Sequence, residues 1–157
     1  MSAATGTARL SVAISLYNYA HYIAAAMASV CRQTIAPVIE LIVVDDASTD
    51  DSVAAVERFQ REQPELLGRL AAFRLERHPR NRGLAEARNT AFALANSAQV
   101  LVLDADNRLL PEACELLLAT LETAPAEVGA AYPLLVVEGH PSQSIANELP
   151  WNPERLR

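Results

Sequence analysis

The stretch Val100-Leu-Val-Leu-Asp-Ala-Asp-Asn107 joins an apolar run to two carboxylates that stand two positions apart. Side chains alternate between the two faces of an extended strand, so Asp104 and Asp106 are expected on one side and Ala105 on the other. Two convergent carboxylates form a hard-oxygen site, which suits Mg²⁺ or Mn²⁺ bound together with water and phosphate oxygens. Because aspartate also favours the turns that follow strands, an Asp-x-Asp pair alone is weak support for a metal site.

A second apolar run, Ile39-Glu-Leu-Ile-Val-Val-Asp-Asp46, also stops at acids. In a parallel α/β sheet the carboxyl ends of the strands share one edge, and ligands bind outside that edge. Adjacent residues face opposite ways, so one of Asp45 and Asp46 is expected to organise the turn or the helix start and the other to reach a ligand. The alternative that both only organise the turn stays open. Ser48 and Thr49 are expected to cap the next helix.

Segments with the pattern of strands alternate along the chain with segments that have the pattern of helices. Strands are predicted at residues 10–14, 39–44, 70–75, 99–103 and 128–137, and the weakest of them, 70–75, is placed at a sheet edge. Helices are predicted at residues 22–33, 52–60 and 84–95, and Pro111 is expected to open a further helix at its first position. This alternation predicts a three-layer α/β sandwich with a mostly parallel sheet.

Length and composition favour a single domain of ordinary globular character, with 157 residues of which 51% are hydrophobic and 20% charged. The net charge of −6 argues against nucleic acid or an anionic membrane as the main partner. Without an apolar run of eighteen residues or a charged-then-apolar leader, neither a membrane span nor a signal peptide is expected, and a cytoplasmic location follows. Cys31 and Cys114 are expected to pack inside helices as reduced thiols.

All 13 basic residues are arginines, and the absence of lysine excludes a P-loop and a receiver-type phosphoacceptor domain. Several arginines crowd the approach to the helix predicted at 84–95, where guanidinium groups can hold a diphosphate or a base: Arg74, Arg77, Arg80, Arg82 and Arg88. Arg88 is expected to anchor that helix to a neighbouring strand. Gly83 is expected to provide a positive φ or a close backbone approach, with an ordinary turn as the alternative.

Other enzyme classes lack their sequence signals in this chain. There is no Gly-x-Ser-x-Gly elbow and no Gly-x-Gly-x-x-Gly after the first strand, which argues against a serine hydrolase and a dinucleotide dehydrogenase. The three histidines, His21, His78 and His140, have no partner at metal-ligand spacing, so none is assigned a catalytic role.

Four motifs, taken in order, resemble family 2 glycosyltransferases of the GT-A fold over roughly residues 9–137. They are Tyr17-Asn18, Val44-Asp-Asp-Ala-Ser-Thr-Asp50, Asn81-Arg-Gly-Leu-Ala-Glu-Ala-Arg-Asn89 and Leu103-Asp-Ala-Asp-Asn107. Two positions depart from the family pattern: Ser15-Leu16 replaces a common Pro-Thr, and Asn107 stands where a third acid is frequent. The resemblance implies a Rossmann-like nucleotide-binding half that binds a nucleotide-diphosphate sugar, with a UDP-sugar favoured.

The resemblance also implies a metal site and a site for the nucleotide. Asp106 would be the main ligand of Mg²⁺ or Mn²⁺, and Asp104 would assist through the ribose or a metal-bound water. The metal would neutralise charge as the leaving group departs.

For the base, the resemblance implies that Asp46 reads its edge, Ser15 lines its pocket and Arg82 lies near the nucleotide. Tyr17 follows the first strand, where its ring can stack on the base or be buried beside the first helix.

The resemblance implies that an inverting member also needs a carboxylate to deprotonate the acceptor, in an acceptor-binding segment well beyond the metal motif, and no such segment is found here. Residues 1–8 are expected to form a flexible N-terminus, 9–137 the nucleotide-sugar-binding domain, and 138–157 an irregular tail cut before an acceptor-binding segment. Glu138 and Glu148 are weak candidates for the base. Apolar surface uncovered along residues 132–137 leads us to expect self-association.

Two alternatives to a glycosyltransferase stay open. One is a binding or interaction module that keeps the nucleotide fold without turnover. The other is a nucleotidyltransferase, which is less favoured because it would show a Gly-rich phosphate loop after the first strand. The donor sugar, the acceptor and the stereochemical outcome are not specified by these residues.

Overall fold

The computed structural model of the chain describes residues 8–133, 135–136 and 144–145. The strands are β1 (Leu10–Leu16), β2 (Ile39–Asp45), β3 (Ala72–Arg77), β4 (Gln99–Asp104), β5 (Leu135–Val136) and β6 (Ser144–Ile145). The helices are α1 (Ile23–Cys31), α2 (Ser52–Glu62), α3 (Pro64–Leu67), α4 (Leu84–Leu94) and α5 (Ala113–Thr123), with a 3₁₀ turn at Ala36–Val38. None of the helices in these residues has the length and apolarity that crossing a bilayer requires.

Four parallel strands form the main sheet in the order β3-β2-β1-β4. The register pairs Leu16 of β1 with Asp45 of β2, and Ser15 of β1 with Asp104 of β4. The acidic ends of β2 and β4 therefore share one edge of the sheet, as predicted. The weak strand of the sequence prediction is β3, and it lies at the edge of the sheet, also as predicted.

Helices cover both faces of the sheet because the central strands are apolar on both sides, as in other parallel sheets. On one face Ile14 and Val43 belong to a core cluster that includes residues of α1, α2 and α5. On the other face Ile42 and Val44 pack with Ala87 and Ala91 of α4. The expected three-layer α/β sandwich is confirmed, and the small alanines of α4 allow its backbone to approach the sheet closely.

The predicted strand at 128–137 is wrong over residues 128–133, which form no strand. Among the described residues of this segment, Leu135–Val136 forms a strand, and it pairs antiparallel with β6 outside the main sheet. Gly129 and Pro133 explain the failure, because glycine weakens a strand and proline cannot donate to its ladder. The self-association surface expected at 132–137 lies partly outside the described residues. Glu138, His140 and Glu148 lie wholly outside them. The expectations about this surface and these residues stay predictions.

The helix expected to open at Pro111 begins instead at Ala113. The carbonyl of Pro111 accepts a hydrogen bond from the Thr34 backbone N–H, which commits this residue to a turn against the end of α1.

Cys31 in α1 and Cys114 in α5 are buried free thiols, as predicted. Burial raises the pKa of Cys31 to about 11 and that of Cys114 to about 12. Both groups are therefore protonated, unreactive packing residues at neutral pH.

A buried carboxylate, Glu40, organises the opposite edge of the sheet, where the strands begin. Glu40 accepts hydrogen bonds from the Ser11 hydroxyl and from the backbone and side-chain nitrogens of Asn96. Burial alone would raise the pKa of Glu40, but these hydrogen bonds together lower it below its ordinary value. The network ties the loop between α4 and β4 to the two central strands.

We expect Glu40→Gln to lower the free energy of unfolding at pH 7 by about 1.5–3 kcal/mol, the range for hydrogen bonds to a charged group. Because the folded-state pKa is lowered from 4.5, this stabilisation is present above that value and is lost as the pH falls through the lower, folded-state pKa. Urea denaturation at pH 7 and at a series of more acidic values measures the difference. The same substitution at the exposed Glu57 is the control, and equal losses at both positions would contradict the prediction.

Candidate functional site

A pocket of about 570 Å³ opens at the edge where the parallel strands end. Its lining comes from the end of β1 and the loop after it, from the residue after β2, from the start of α4 and from the turn after β4. All of the predicted site residues except Arg82 line it: Ser15, Tyr17, Asp46, Asp104 and Asp106. The sheet topology thus gathers side chains from motifs far apart in sequence.

The loop after β1 is fastened to the loop after β2 by Asn18, whose backbone lies in the left-handed region at φ +61°. The Asn18 side-chain oxygen accepts hydrogen bonds from the backbone N–H groups of Thr49 (2.8 Å) and Asp50 (3.3 Å). The Asn18 N–H donates to the Ser48 hydroxyl (3.0 Å). The expectation that Ser48 and Thr49 cap α2 is wrong, because this helix begins at Ser52 and these two residues hold the pocket loops together instead.

Two tyrosines of the fastened loop form one wall of the pocket. Tyr17 is 43% exposed and lines the pocket, so its ring is open to a stacking partner rather than buried beside α1. Tyr19 lines the same pocket and packs edge-to-face against Tyr22, with 6.1 Å between the ring centroids. The sequence analysis did not predict a role for Tyr19, because the motif there comprises only Tyr17 and Asn18.

The adjacent acids after β2 have different surroundings. Asp45 is buried, and its carboxylate accepts a long hydrogen bond from the Ser48 backbone N–H (3.3 Å), which makes it a turn organiser. Asp46 is also buried but lines the pocket. Both acids organise local structure, and Asp46 alone of the two also faces the space where a ligand can enter.

Three donors hold the Asp46 carboxylate. Its Oδ1 accepts from His78 Nδ1 (2.7 Å) and from the Arg82 backbone N–H (2.9 Å), and its Oδ2 accepts from the Gly83 backbone N–H (2.7 Å). Burial alone would raise the pKa of Asp46, but these hydrogen bonds hold it below its ordinary value. Asp46 is therefore an anion at neutral pH, and it shapes the loop that precedes α4.

Gly83 precedes the first residue of α4 at φ +89° and ψ +161°. The expectation of a positive φ is confirmed. This backbone conformation is almost restricted to glycine, and it points the Gly83 N–H at Asp46.

The two arginines of the third motif have different roles. The Arg82 side chain pairs with Glu86 on the surface of α4 (2.8 Å), and within the described residues only its backbone N–H contacts a pocket group. Arg88 lines the pocket and joins α4 to β4 through Asp104 (Nη2 to Oδ1, 3.0 Å), as the predicted helix anchor should. The Arg88 Nε is buried and has no hydrogen-bond partner in the described part of the chain.

The Asp104–Asn107 segment forms a β-turn rather than extended strand, because the Asn107 N–H donates to the Asp104 carbonyl (3.0 Å). Ala105 is buried under the turn, and both Asp104 and Asp106 are exposed and line the pocket. The Asp106 carboxylate has no hydrogen-bond or ion-pair partner in the described ranges. No group of three or more potential metal-binding side chains occurs in those ranges either. A metal ion at this turn would therefore have two carboxylates as its ligands from the described residues.

A buried amide, Gln33, fixes the segment that follows this turn. Its Nε2 donates to the Leu110 carbonyl (2.7 Å), and its Oε1 accepts from the Cys114 backbone N–H (2.9 Å). The Ser29 hydroxyl accepts from the Leu109 N–H (3.1 Å). The end of α1 therefore holds the chain just after the two carboxylates, a role that the sequence reasoning missed.

Comparison with known proteins agrees with this geometry. The family model described as glycosyl transferase family 2 matches residues 11–155. The chain belongs to this family. It is 40% identical to the succinoglycan biosynthesis protein ExoU of Rhizobium meliloti, over 71% of the chain and 30% of that protein. The chain spans 38% or less of the length of each curated relative compared with it.

Two solved structures share the fold. S. aureus TarS 1–349 in complex with UDP-GlcNAc matches with a TM-score of 0.62 and 28% identity, over 73% of this chain and 31% of that one. A mannosyltransferase from Pyrobaculum calidifontis in complex with GDP-Man and Mn²⁺ matches with a TM-score of 0.57 and 33% identity, over 66% of this chain and 29% of that one. The expected family and its GT-A α/β fold are confirmed.

We expect Gly83→Ala to lower the free energy of unfolding by about 1–3 kcal/mol, because a side chain disfavours this backbone conformation. The matched control is Gly129→Ala. A Cβ meets no heavy atom within 4 Å at either glycine, and only Gly83 has a positive φ. Chemical denaturation of both variants measures the free-energy cost of a side chain at a positive φ. Equal stability of the two variants would contradict the prediction, because it would show that the loop relaxes without strain.

Proposed function

We propose that the chain is the donor-binding part of a metal-dependent glycosyltransferase, which transfers a sugar from a nucleotide-diphosphate sugar to an acceptor hydroxyl. The observation that carries this proposal is the convergence of Asp46, Asp104, Asp106 and Tyr17 on one pocket at the carboxyl edge of the sheet. The ligands named for the two similar structures, UDP-GlcNAc, GDP-Man and Mn²⁺, support a nucleotide sugar and a divalent metal.

The residues present fit Mg²⁺ or Mn²⁺. Asp106 offers both oxygens, and Asp104 offers Oδ2, because its Oδ1 accepts from Arg88. Mg²⁺ is commonly held by one or two carboxylates and completes its shell with water and substrate phosphates, so two acids suffice. When bound, the metal neutralises the charge that develops on the departing nucleoside diphosphate. Asp106 and Asp104 would hold it at the end of the pocket formed by the turn after β4.

Arg88 supplies a second positive group at this end of the pocket. Its Nη2 donates to Asp104 Oδ1. The guanidinium has further N–H donors, which suit a phosphate or sugar oxygen in the pocket that Arg88 lines. We propose that Arg88 thereby helps to seat the donor while keeping Asp104 turned toward the metal position.

At the other end of the pocket, Asp46 restricts the base. Its Oδ1 already accepts two hydrogen bonds, and its Oδ2 accepts one and has room for one more. As a carboxylate it can only accept, so it favours a base with a ring N–H, as in uracil or guanine, over the ring acceptor of cytosine or adenine. We propose a UDP-sugar as the favoured donor, with Tyr17 stacking on the base and Ser15 beside it.

Activation of the acceptor needs a further group. The carboxylates in the described lining are Asp46, Asp104 and Asp106. The first is held by three donors and the other two are assigned to the metal, so none is available as the base that deprotonates the acceptor. We therefore propose that this chain carries the donor half of the reaction and that the base lies outside the described residues.

We expect nucleoside diphosphate binding to require Mn²⁺ or Mg²⁺ and to fail in Asp106→Ala. Without metal, carboxylates and diphosphate repel one another, with a cost on the order of a few kcal/mol at an intermediate effective dielectric constant. Calorimetry with UDP and GDP in Mn²⁺ and in EDTA measures the dependence. Asp51→Ala removes an exposed aspartate that does not line the pocket and should bind as the unmodified chain does. Equal affinity in EDTA and Mn²⁺ would refute the metal site.

We expect Asp46→Asn to weaken binding of the preferred nucleotide by about 1.5–3 kcal/mol, the cost of losing a charge-assisted hydrogen bond, while Mn²⁺ dependence remains. Asp45→Asn is the matched control, because Asp45 is equally buried but does not line the pocket. Both variants should have a lower melting temperature, since both acids organise turns. If nucleotide affinity is unchanged in Asp46→Asn, then Asp46 is a turn organiser only.

A further inference from the structure

His78 is a buried imidazole at the junction between β3 and the loop that leads to α4, and its side chain is 5% exposed. One ring nitrogen, Nδ1, lies 2.7 Å from Asp46 Oδ1. The other, Nε2, lies 2.9 Å from the hydroxyl of Thr90 in α4. The imidazole thus bridges a pocket carboxylate to the helix that forms the adjacent wall, although it does not itself line the pocket.

The partners of His78 fix where its proton lies. An ionised carboxylate only accepts hydrogen bonds, so Nδ1 must carry the proton that faces Asp46. Nε2 then accepts from the Thr90 hydroxyl when the ring is neutral, or donates to it when the ring is charged. Because a hydroxyl can act in both senses, the Nδ1–H to Asp46 bond is maintained in either state.

This bond determines which face of Asp46 is presented to the pocket. With His78 and the Arg82 N–H on Oδ1, that oxygen has no further capacity, and the Gly83 N–H leaves Oδ2 with one open site. Without the imidazole donor, Asp46 Oδ1 would also have one open acceptor site. The carboxylate could then rotate, and the open site on Oδ2 would no longer point in one fixed direction.

We propose that His78 is a positioning residue for nucleotide recognition: it orients Asp46 so that Oδ2 accepts the ring N–H of the base. This inference rests on the base contact proposed above for Asp46. His78 contacts Asp46 and Thr90, whereas Asp104 and Asp106 lie at the end of β4 and in the turn after it. Its loss should therefore affect the base and not the diphosphate.

The test uses the whole 157-residue chain and two kinds of ligand, in Mn²⁺. Whichever of UDP and GDP binds more tightly reports on base and diphosphate together, and inorganic pyrophosphate reports on the metal end alone. His78→Leu removes the donor and should weaken the nucleotide by about tenfold or more, with pyrophosphate unchanged. His78→Asn places an amide N–H near the Nδ1 position and should restore most of the loss. His21→Leu, at an exposed histidine, is the control and should bind both ligands normally.

A second measurement needs no variant. Long-range ¹H–¹⁵N correlation spectra of the unmodified chain should show His78 with its proton on Nδ1, and this resonance should shift with the nucleotide but not with pyrophosphate. A proton on Nε2 alone, or a resonance that the nucleotide leaves unchanged, would overturn the inference. So would equal nucleotide affinity in His78→Leu. Failure of the unmodified chain to bind any nucleotide in Mn²⁺ would instead overturn the proposed function, and with it the contact on which this role depends.

Discussion

The hydrogen bonds of one central strand, β1, set the position of every group in the pocket. β1 pairs in parallel with β2 on one side and β4 on the other, so three strand ends and the loops that follow them meet at a single edge. Parallel neighbours require crossover connections, which return each chain segment to the opposite edge before the next strand starts. A shift of register in either ladder would separate Asp46 from Asp104 and would also turn apolar side chains out of the core.

Gathering acids at one edge carries an electrostatic cost, and the chain meets it in two ways. Asp45 and Asp46 are buried, and backbone N–H groups, together with the His78 imidazole, satisfy them. Asp104 and Asp106 stay exposed, where water screens them, and Asp104 pairs with Arg88. Hydrogen-bond donors of the protein therefore stabilise the charges of the buried acids. The two exposed acids instead present negative charge that a cation can neutralise.

Local patterns in the sequence predicted the features that depend on local physics. The apolar run before Asp45 predicted a strand buried on both faces, and β2 is buried along its whole length. The glycine of the third motif predicted a positive φ, and Gly83 has one. In both cases the chemistry of the residues themselves favours the observed conformation, because β-branched residues favour strands and glycine, which has no Cβ, permits a positive φ.

Features that depend on partners distant in sequence were missed. His78 was set aside because it has no ligand-spaced neighbour, yet Asp46 lies 32 positions away in the chain and directly beside it in the fold. Gln33 carries no motif of its own, and its partners are 77 and 81 positions away. The periodicity of the sequence does not identify the partners of such polar side chains, because the sheet topology determines which residues lie next to them.

The prediction that Ser48 and Thr49 cap α2 also failed because of a partner distant in sequence. Serine and threonine before a helix ordinarily favour capping. Here Asn18, on a different loop, bonds to both residues: its backbone N–H donates to the Ser48 hydroxyl, and its side-chain oxygen accepts from the Thr49 N–H. These contacts form because β1 and β2 are neighbours. The same bonds hold the loop that carries the two pocket tyrosines.

The two ends of the pocket differ in how firmly their charged groups are held. At the base end, Asp46 is buried and its hydrogen bonds are buried or partly buried, so breaking one costs about 1–3 kcal/mol. At the metal end, the Arg88 side chain is 36% exposed and that of Asp104 is 54% exposed, and such pairs contribute about 1 kcal/mol or less. Under the proposed function this difference is useful, because the base end is preorganised and the metal end can exchange an arginine contact for a cation at little cost. Under the same proposal, Asp106 would offer its carboxylate to the metal without first giving up a contact to a described residue.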